Sequence, residues 1–129
     1  MSEKKRIFIA DDEETILTSL KKLFELSGFE VDTSRESKNV LAMVKAFKPH
    51  VILLDLLMPG MGGFEICELL NKDEDTQKVP IIIISALADD VDIKKAFKMG
   101  VVGYFTKPFD YQKLLYEVNK AIAYKETRT

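Results

Sequence analysis

Three short runs of this chain are apolar at every position: Ile7-Phe8-Ile9-Ala10, Val51-Ile52-Leu53-Leu54 and Ile81-Ile82-Ile83-Ile84. Each is stopped by a polar residue, Asp11, Asp55 and Ser85 in turn. Such runs predict strands buried on both faces. Phe29 to Thr33 alternates apolar and polar, as a strand near a sheet edge does, and Val101 to Phe105 predicts a fifth strand. Between the strands the apolar period becomes helical. Ile16, Leu17, Leu20, Leu23 and Phe24 mark a helix from Glu13 to about Leu26, with Gly28 after its last turn. Val40, Leu41, Val44 and Phe47 mark a second over Ser37 to Phe47, stopped by Lys48-Pro49. A third carries Phe64, Ile66, Cys67 and Leu70 behind the loop Pro59-Gly60-Met61-Gly62-Gly63, and a fourth runs from about Asp89 to Lys98 and closes at Gly100. The last follows Asp110, a fitting N-cap, with Leu114, Leu115, Val118 and Ile122 inward.

Strand and helix therefore alternate five times in one domain, residues 1–129, with a core of about 5–123 and a polar tail, 124–129, free to fray. All-apolar strands joined by helices imply a parallel sheet covered on both faces, and right-handed crossovers leave few topologies open. The strand order 2-1-3-4-5 puts the three most apolar strands in the middle. That predicts an α/β, flavodoxin-like three-layer sandwich with five helices.

Composition narrows the function by exclusion. Hydrophobic residues are 47% and charged residues 31% of the chain, and the net charge of −2 argues for no nucleic-acid or membrane partner. No apolar run approaches the roughly 20 residues of a membrane helix, and the basic start lacks a signal-peptide core. The single cysteine, Cys67, cannot form an internal disulfide, which suits the cytoplasm. Cys67 and the single histidine, His50, both read as structural, and Lys4-Lys5-Arg6 as a solvated start.

Candidate chemistry collects where the strands end. In a parallel sheet Asp11-Asp12, Asp55, Ser85 and Lys107 all reach the carboxyl edge, where ligands of open α/β sheets bind. In the order 2-1-3-4-5 the crevice falls between the first and third strands, flanked by Asp11 and Asp12 on one side and Asp55 on the other. Carboxylates so placed repel, and a hard divalent cation, Mg²⁺ or Mn²⁺, relieves them. With the Lys107 ammonium and the Ser85 hydroxyl nearby, the set can hold the oxygens of a phosphoryl group on a carboxylate nucleophile, Asp55. Taken singly, Asp11 or Asp12 reads as a helix cap, Lys107 as a solvated lysine and Ser85 as a turn residue; their coincidence at one edge favours function.

Asp11-Asp12, the segment Asp55-Leu-Leu-Met-Pro-Gly-Met-Gly-Gly63, Ser85-Ala86 and Lys107-Pro108 together resemble the receiver domains of two-component signalling, over about Lys5 to Ala123. The resemblance implies that Asp55 accepts phosphoryl from a histidine kinase or histidine phosphotransfer protein. It implies Mg²⁺ on Asp12, Asp55 and the Leu57 backbone carbonyl, with Asp11 acting through water. Ser85 and Lys107 would bind phosphoryl oxygens, and the Lys107-Pro108 bond would be cis. Ser85 and Tyr104 would form the switch, with Tyr104 rotating inward as Ser85 moves. The face of the fourth helix, fifth strand and fifth helix would then engage an unknown downstream protein, as a monomer or a weak phosphorylation-dependent dimer. The implied protein is a signalling module, not an enzyme beyond its own phosphorylation and dephosphorylation.

Three departures stand out. Ser85 replaces the more frequent Thr and keeps the hydroxyl; Gly62 replaces an Asp and loosens the loop; and apolar Leu57 and Leu87 imply slow loss of phosphoryl. Rival readings fit less well. An aspartyl phosphatase of the haloacid-dehalogenase type needs an acid where Leu57 stands, and a nucleotide or flavin site would be repelled by Asp11-Asp12-Glu13-Glu14. A degenerate receiver acting only as an interaction module would not need Asp12, Asp55, Ser85 and Lys107 intact.

Overall fold

The three all-apolar runs are strands, and they lie side by side. In the computed structural model, which describes residues 3–127, β1 (Arg6–Ala10), β3 (Val51–Leu54) and β4 (Ile81–Ser85) form the middle of a five-stranded parallel sheet. β2 (Glu30–Ser34) and β5 (Gly103–Thr106) are its edges, giving the order β2-β1-β3-β4-β5. Each crossover is helical: α1 (Glu14–Leu26), α2 (Val40–Phe47), α3 (Gly63–Lys72) and α4 (Asp90–Lys98), with α5 (Tyr111–Thr127) following β5. This is the flavodoxin-like topology expected from the pattern.

Alternation along each strand divides the core into two layers. Ile7, Ile9, Val51, Leu53, Ile82 and Ile84 pack with Leu17, Leu20 and Phe24 of α1 and Leu114, Val118 and Ile122 of α5. Phe8, Ala10, Ile52, Leu54, Ile81 and Ile83 pack with Val40, Val44, Ile66, Cys67, Leu70 and Ala96 from α2, α3 and α4. Burying one such side chain is worth roughly 1.5–3 kcal/mol, and the central strands gain it on both faces. That is why no polar residue interrupts them.

Local differences from the sequence reading have physical causes. β5 begins at Gly103, not Val101, because Val101 still belongs to the end of α4. The Val101 N–H donates to Ala96 O and Gly100 is left-handed (φ 97), the hydrogen-bond pattern that closes helices with glycine. The second helix opens with a 3-10 turn, Ser37–Asn39, before α2 proper. Residues 124–127 continue α5 instead of fraying, while 128 and 129, and 1 and 2 at the start, lie outside the described residues.

Arg6 is no solvated start residue: its guanidinium donates to the Phe47 and Lys48 carbonyls at the end of α2. His50 is structural as expected, its Nδ1 accepting the Arg6 N–H at 3.0 Å. Cys67 is buried, and burial pushes its thiol up to about 11, so it stays protonated and inert. Among the described residues no helix is long and apolar enough to cross a membrane.

Candidate functional site: an acidic pocket at the carboxyl edge of the sheet

The sheet's hydrogen-bond ladder continues one residue past the strand ends and so fixes the residues that follow. Asp11 N–H donates to Ser34 O at 3.1 Å, Asp55 N–H to Ala10 O at 2.9 Å, and Lys107 N–H to Ser85 O at 2.8 Å. Asp11 and Asp55 therefore stand on adjacent strands, where the connections run off in opposite directions along the sheet. Carboxylate oxygens of Asp11, Asp12 and Asp55 lie within 4.8 Å of one another. At an effective dielectric near 20 each pair of charges at that distance costs about 3–4 kcal/mol.

Lys107 supplies the counter-charge. Its Nζ lies 2.8 Å from Asp11 Oδ2, 3.0 Å from Asp55 Oδ2 and 3.2 Å from Glu13 Oε1. Burial by itself would pull the Lys107 pKa down, but the hydrogen bonds and charges of Asp11 and Asp55 outweigh it and hold the ammonium above its ordinary value. Asp11 is fully buried and its pKa is raised too, by that burial, with the Asp55 charge adding to the effect and Lys107 opposing it.

The remaining oxygens are partly committed. Asp11 Oδ1 accepts the Glu13 N–H and Asp55 Oδ1 the Leu57 N–H, both at 2.9 Å. One Asp11 oxygen thus fills the helix-entry role that an aspartate after a strand commonly takes. Its other oxygen, Oδ2, is fully buried and has the Lys107 ammonium, at 2.8 Å, as its one partner among the described residues. Three carboxylates converging on one point with a single ammonium between them leave excess negative charge, and an all-oxygen set of this kind fits a hard divalent cation such as Mg²⁺. Asp11, Asp12 and Asp55 are the side chains that could hold it.

Ser85 and Tyr104 form a second group beside the pocket. By strand alternation both face the layer of Ile81 and Ile83, and Tyr104 packs into it. Ser85 is fully buried, and its Oγ accepts the Leu87 N–H at 3.2 Å. The Tyr104 hydroxyl donates to the Leu87 carbonyl at 2.7 Å, and burial raises its pKa. Leu87 therefore joins the two, with Tyr104 half-buried against that layer. Among the described residues no hydrogen bond joins Ser85 to Asp55. The Lys107-Pro108 peptide is cis.

Over residues 7–119 the sequence matches the response regulator receiver domain family. This chain is a response regulator receiver domain. The receiver is 33% identical over 118 residues to protein PilH of Pseudomonas aeruginosa, spanning 92% of this chain and 98% of that one. It is 33% identical to the DNA-binding regulator RpaA of Synechocystis, but spans about half of it, 47%. Among solved structures, a CheY-like receiver domain protein from Methanospirillum hungatei superposes with a TM-score of 0.92 at 26% identity, over 98% of this chain and 100% of that one.

Four residues of the receiver's site escaped the sequence reading. Glu13 reaches Lys107, and the Arg35 Nε donates to the Asp12 carbonyl at 3.1 Å. Ser37 and Gly63 hold the loop beyond Asp55, Ser37 by hydrogen bonds and Gly63 by close backbone approach. Glu13, next to the acid pair, and Gly63, the last residue of the loop segment shared with receiver domains, carried a signal, though not for these contacts.

The repulsion makes a stability prediction. Asp12 lies near both other carboxylates, makes no ion pair with Lys107 among the described residues, and is partly exposed. Asp12→Asn is expected to stabilise the metal-free receiver by about 1–2 kcal/mol after screening. It should also remove the rise in melting temperature caused by Mg²⁺. Thermal melts with and without Mg²⁺ measure both.

Proposed function

We propose that the receiver takes a phosphoryl group onto Asp55 from the phosphohistidine of a histidine kinase or histidine phosphotransfer protein. The observation that carries this reading is the setting of Asp55: 2% exposed, its Oδ2 3.0 Å from the Lys107 ammonium, with two more carboxylates beside it. In the transfer the N–P bond of the donor breaks, an O–P bond to Asp55 forms, and the imidazole nitrogen leaves and takes up a proton. Lys107 turns from its carboxylate partners to a phosphoryl oxygen, and Ser85 offers its hydroxyl to another. Asp12, Asp55 and the Leu57 carbonyl would hold Mg²⁺, or Mn²⁺ in its place, with Asp11 behind a water. The bound cation supplies positive charge to the phosphoryl oxygens.

Output follows from Leu87. Drawing Ser85 toward the phosphoryl group breaks its contact with the Leu87 N–H, and the Leu87 carbonyl holds Tyr104. The movement therefore shifts the balance of states on the face of α4, β5 and α5, where a downstream protein binds. The reading places the receiver in the cytoplasm, as a monomer or weak phosphorylation-dependent dimer, without direct contact to nucleic acid or membrane.

Incubation with Mg²⁺ and acetyl phosphate, followed by intact mass, tests the reading. A gain of one phosphoryl group, abolished by EDTA and by Asp55→Asn, supports it; no gain in the wild type refutes it. Leu57 is 48% exposed at the mouth of the pocket, and an apolar group there cannot orient water. Leu57→Asn is expected to speed loss of the phosphoryl group several-fold; unchanged decay, followed by mass over time, would count against the shielding role.

A further inference from the structure

The connection between β2 and α2 touches both loops of the acidic pocket. Arg35 donates to the carbonyl of Asp12 on one side. On the other, the Ser37 hydroxyl donates to Pro59 O and accepts the Met61 N–H, both at 3.0 Å. The connection is itself pinned, because Ser34 Oγ donates to Glu36 O and accepts the Glu36 N–H. Ser37 is buried at 7% exposure, so its hydroxyl has exchanged water for these two partners.

The loop is shaped to receive that hydroxyl. Gly60 is left-handed (φ +82), and a Cβ there would meet Ser37 Oγ at 3.3 Å. Before the glycine, Leu56 and Met58 are buried while Leu57 between them is exposed. Leu57 N–H sits on Asp55 Oδ1. Beyond the glycine, Gly63 N–H donates to Leu56 O. Among the described residues, Ser37 supplies the hydrogen bonds that tie residues 59–61 to another part of the chain.

We infer that Ser37 is a positioning residue for the pocket: its hydroxyl fixes residues 59–61 and, through Leu57, the orientation of the Asp55 carboxylate toward a divalent cation. This deepens the proposed function and rests on Asp55 and its neighbours binding that cation. Without the hydroxyl, Pro59 O and Met61 N–H turn to water, the loop samples several positions, and cation binding must select one of them.

Two readouts test it, one of them independent of metal. In the metal-free wild type the Met61 amide should exchange with solvent at least about tenfold more slowly than the neighbouring Gly60 amide, since an ordinary hydrogen bond is worth about that factor. Equal rates overturn the inference without any variant. Ser37→Ala and Ser37→Gly should both erase the Met61 protection, leave the Gly63 amide protected, and weaken Mg²⁺ binding by about five- to tenfold, read by calorimetry well below the melting temperature. Wild-type Mg²⁺ affinity in a folded variant overturns the inference and leaves the proposed function standing. A wild type that binds no Mg²⁺ refutes the proposed function instead, whatever the amide rates show.

Discussion

Replacing Lys107 by alanine is expected to destabilise the metal-free receiver at neutral pH by roughly 3–5 kcal/mol, the range for stripping one partner from a buried ion pair. Asp11 and Asp55, 0% and 2% exposed, would lose the ammonium that both of them contact. The loss should depend on pH in a definite direction. Burial already raises the Asp11 pKa above 3.8, and removing Lys107 takes away an opposing influence. An acid whose pKa is higher folded than unfolded binds protons better in the folded state. Its stability is retained at low pH and lost as pH rises from the ordinary carboxylate value through the folded one. Lys107→Ala should therefore regain stability on acidification from neutral pH toward the ordinary carboxylate range, and Mg²⁺ should restore part of the deficit at neutral pH. Urea denaturation across that range, with and without Mg²⁺, measures this. A variant as stable as the wild type at neutral pH would mean that the pocket's charges are far better solvated than their burial indicates.

Gly63→Ala should be comparably damaging for a reason unrelated to charge. A Cβ at this position would lie 2.5 Å from Leu56 Cα and 2.6 Å from Asp55 O. Both are backbone atoms, so no side-chain rotation relieves the clash; α3 must shift or the Asp55-Leu56 peptide must move. Overpacking of this kind costs typically 1–3 kcal/mol and occasionally more, and the rigid contact here places the expected value at about 3 kcal/mol. Because the displaced peptide belongs to Asp55, Mg²⁺ affinity should fall as well. Gly28→Ala is the matched control. Gly28 is left-handed (φ +97) but nothing lies within 4 Å of its would-be Cβ, so only backbone strain of about 1–2 kcal/mol is expected. Gly63 has no left-handed backbone to strain, so a cost there no larger than at Gly28 would contradict the close approach.

These two residues mark what the sequence does and does not reveal. Lys107 was legible because strand ends in a parallel sheet share an edge, so a polar residue after each apolar run is placed by topology alone. The same logic located Asp11, Asp12, Asp55 and Ser85. Gly63 was not legible. In the sequence it closes a glycine-rich loop, whereas in the fold it opens α3 against the Asp55-Leu56 backbone, a proximity no local pattern encodes. Ser37 read as the start of a helix for the same reason, since its partners lie more than twenty residues away. Val101 misled because an apolar residue before a strand looks like strand, while here its N–H completes the end of α4. Local periodicity reports which face is buried; it is silent on backbone approaches and on side chains that serve a distant loop.

Chemical trapping of the phosphorylated residue tests the central claim most directly. The receiver would be loaded with Mg²⁺ and acetyl phosphate, reduced with borohydride, digested and sequenced by mass spectrometry. An aspartyl phosphate is reduced to homoserine, so the account predicts that conversion at position 55 and nowhere else. Phosphate recovered on a serine, threonine or histidine, or homoserine at position 11 or 12 in place of 55, would contradict it.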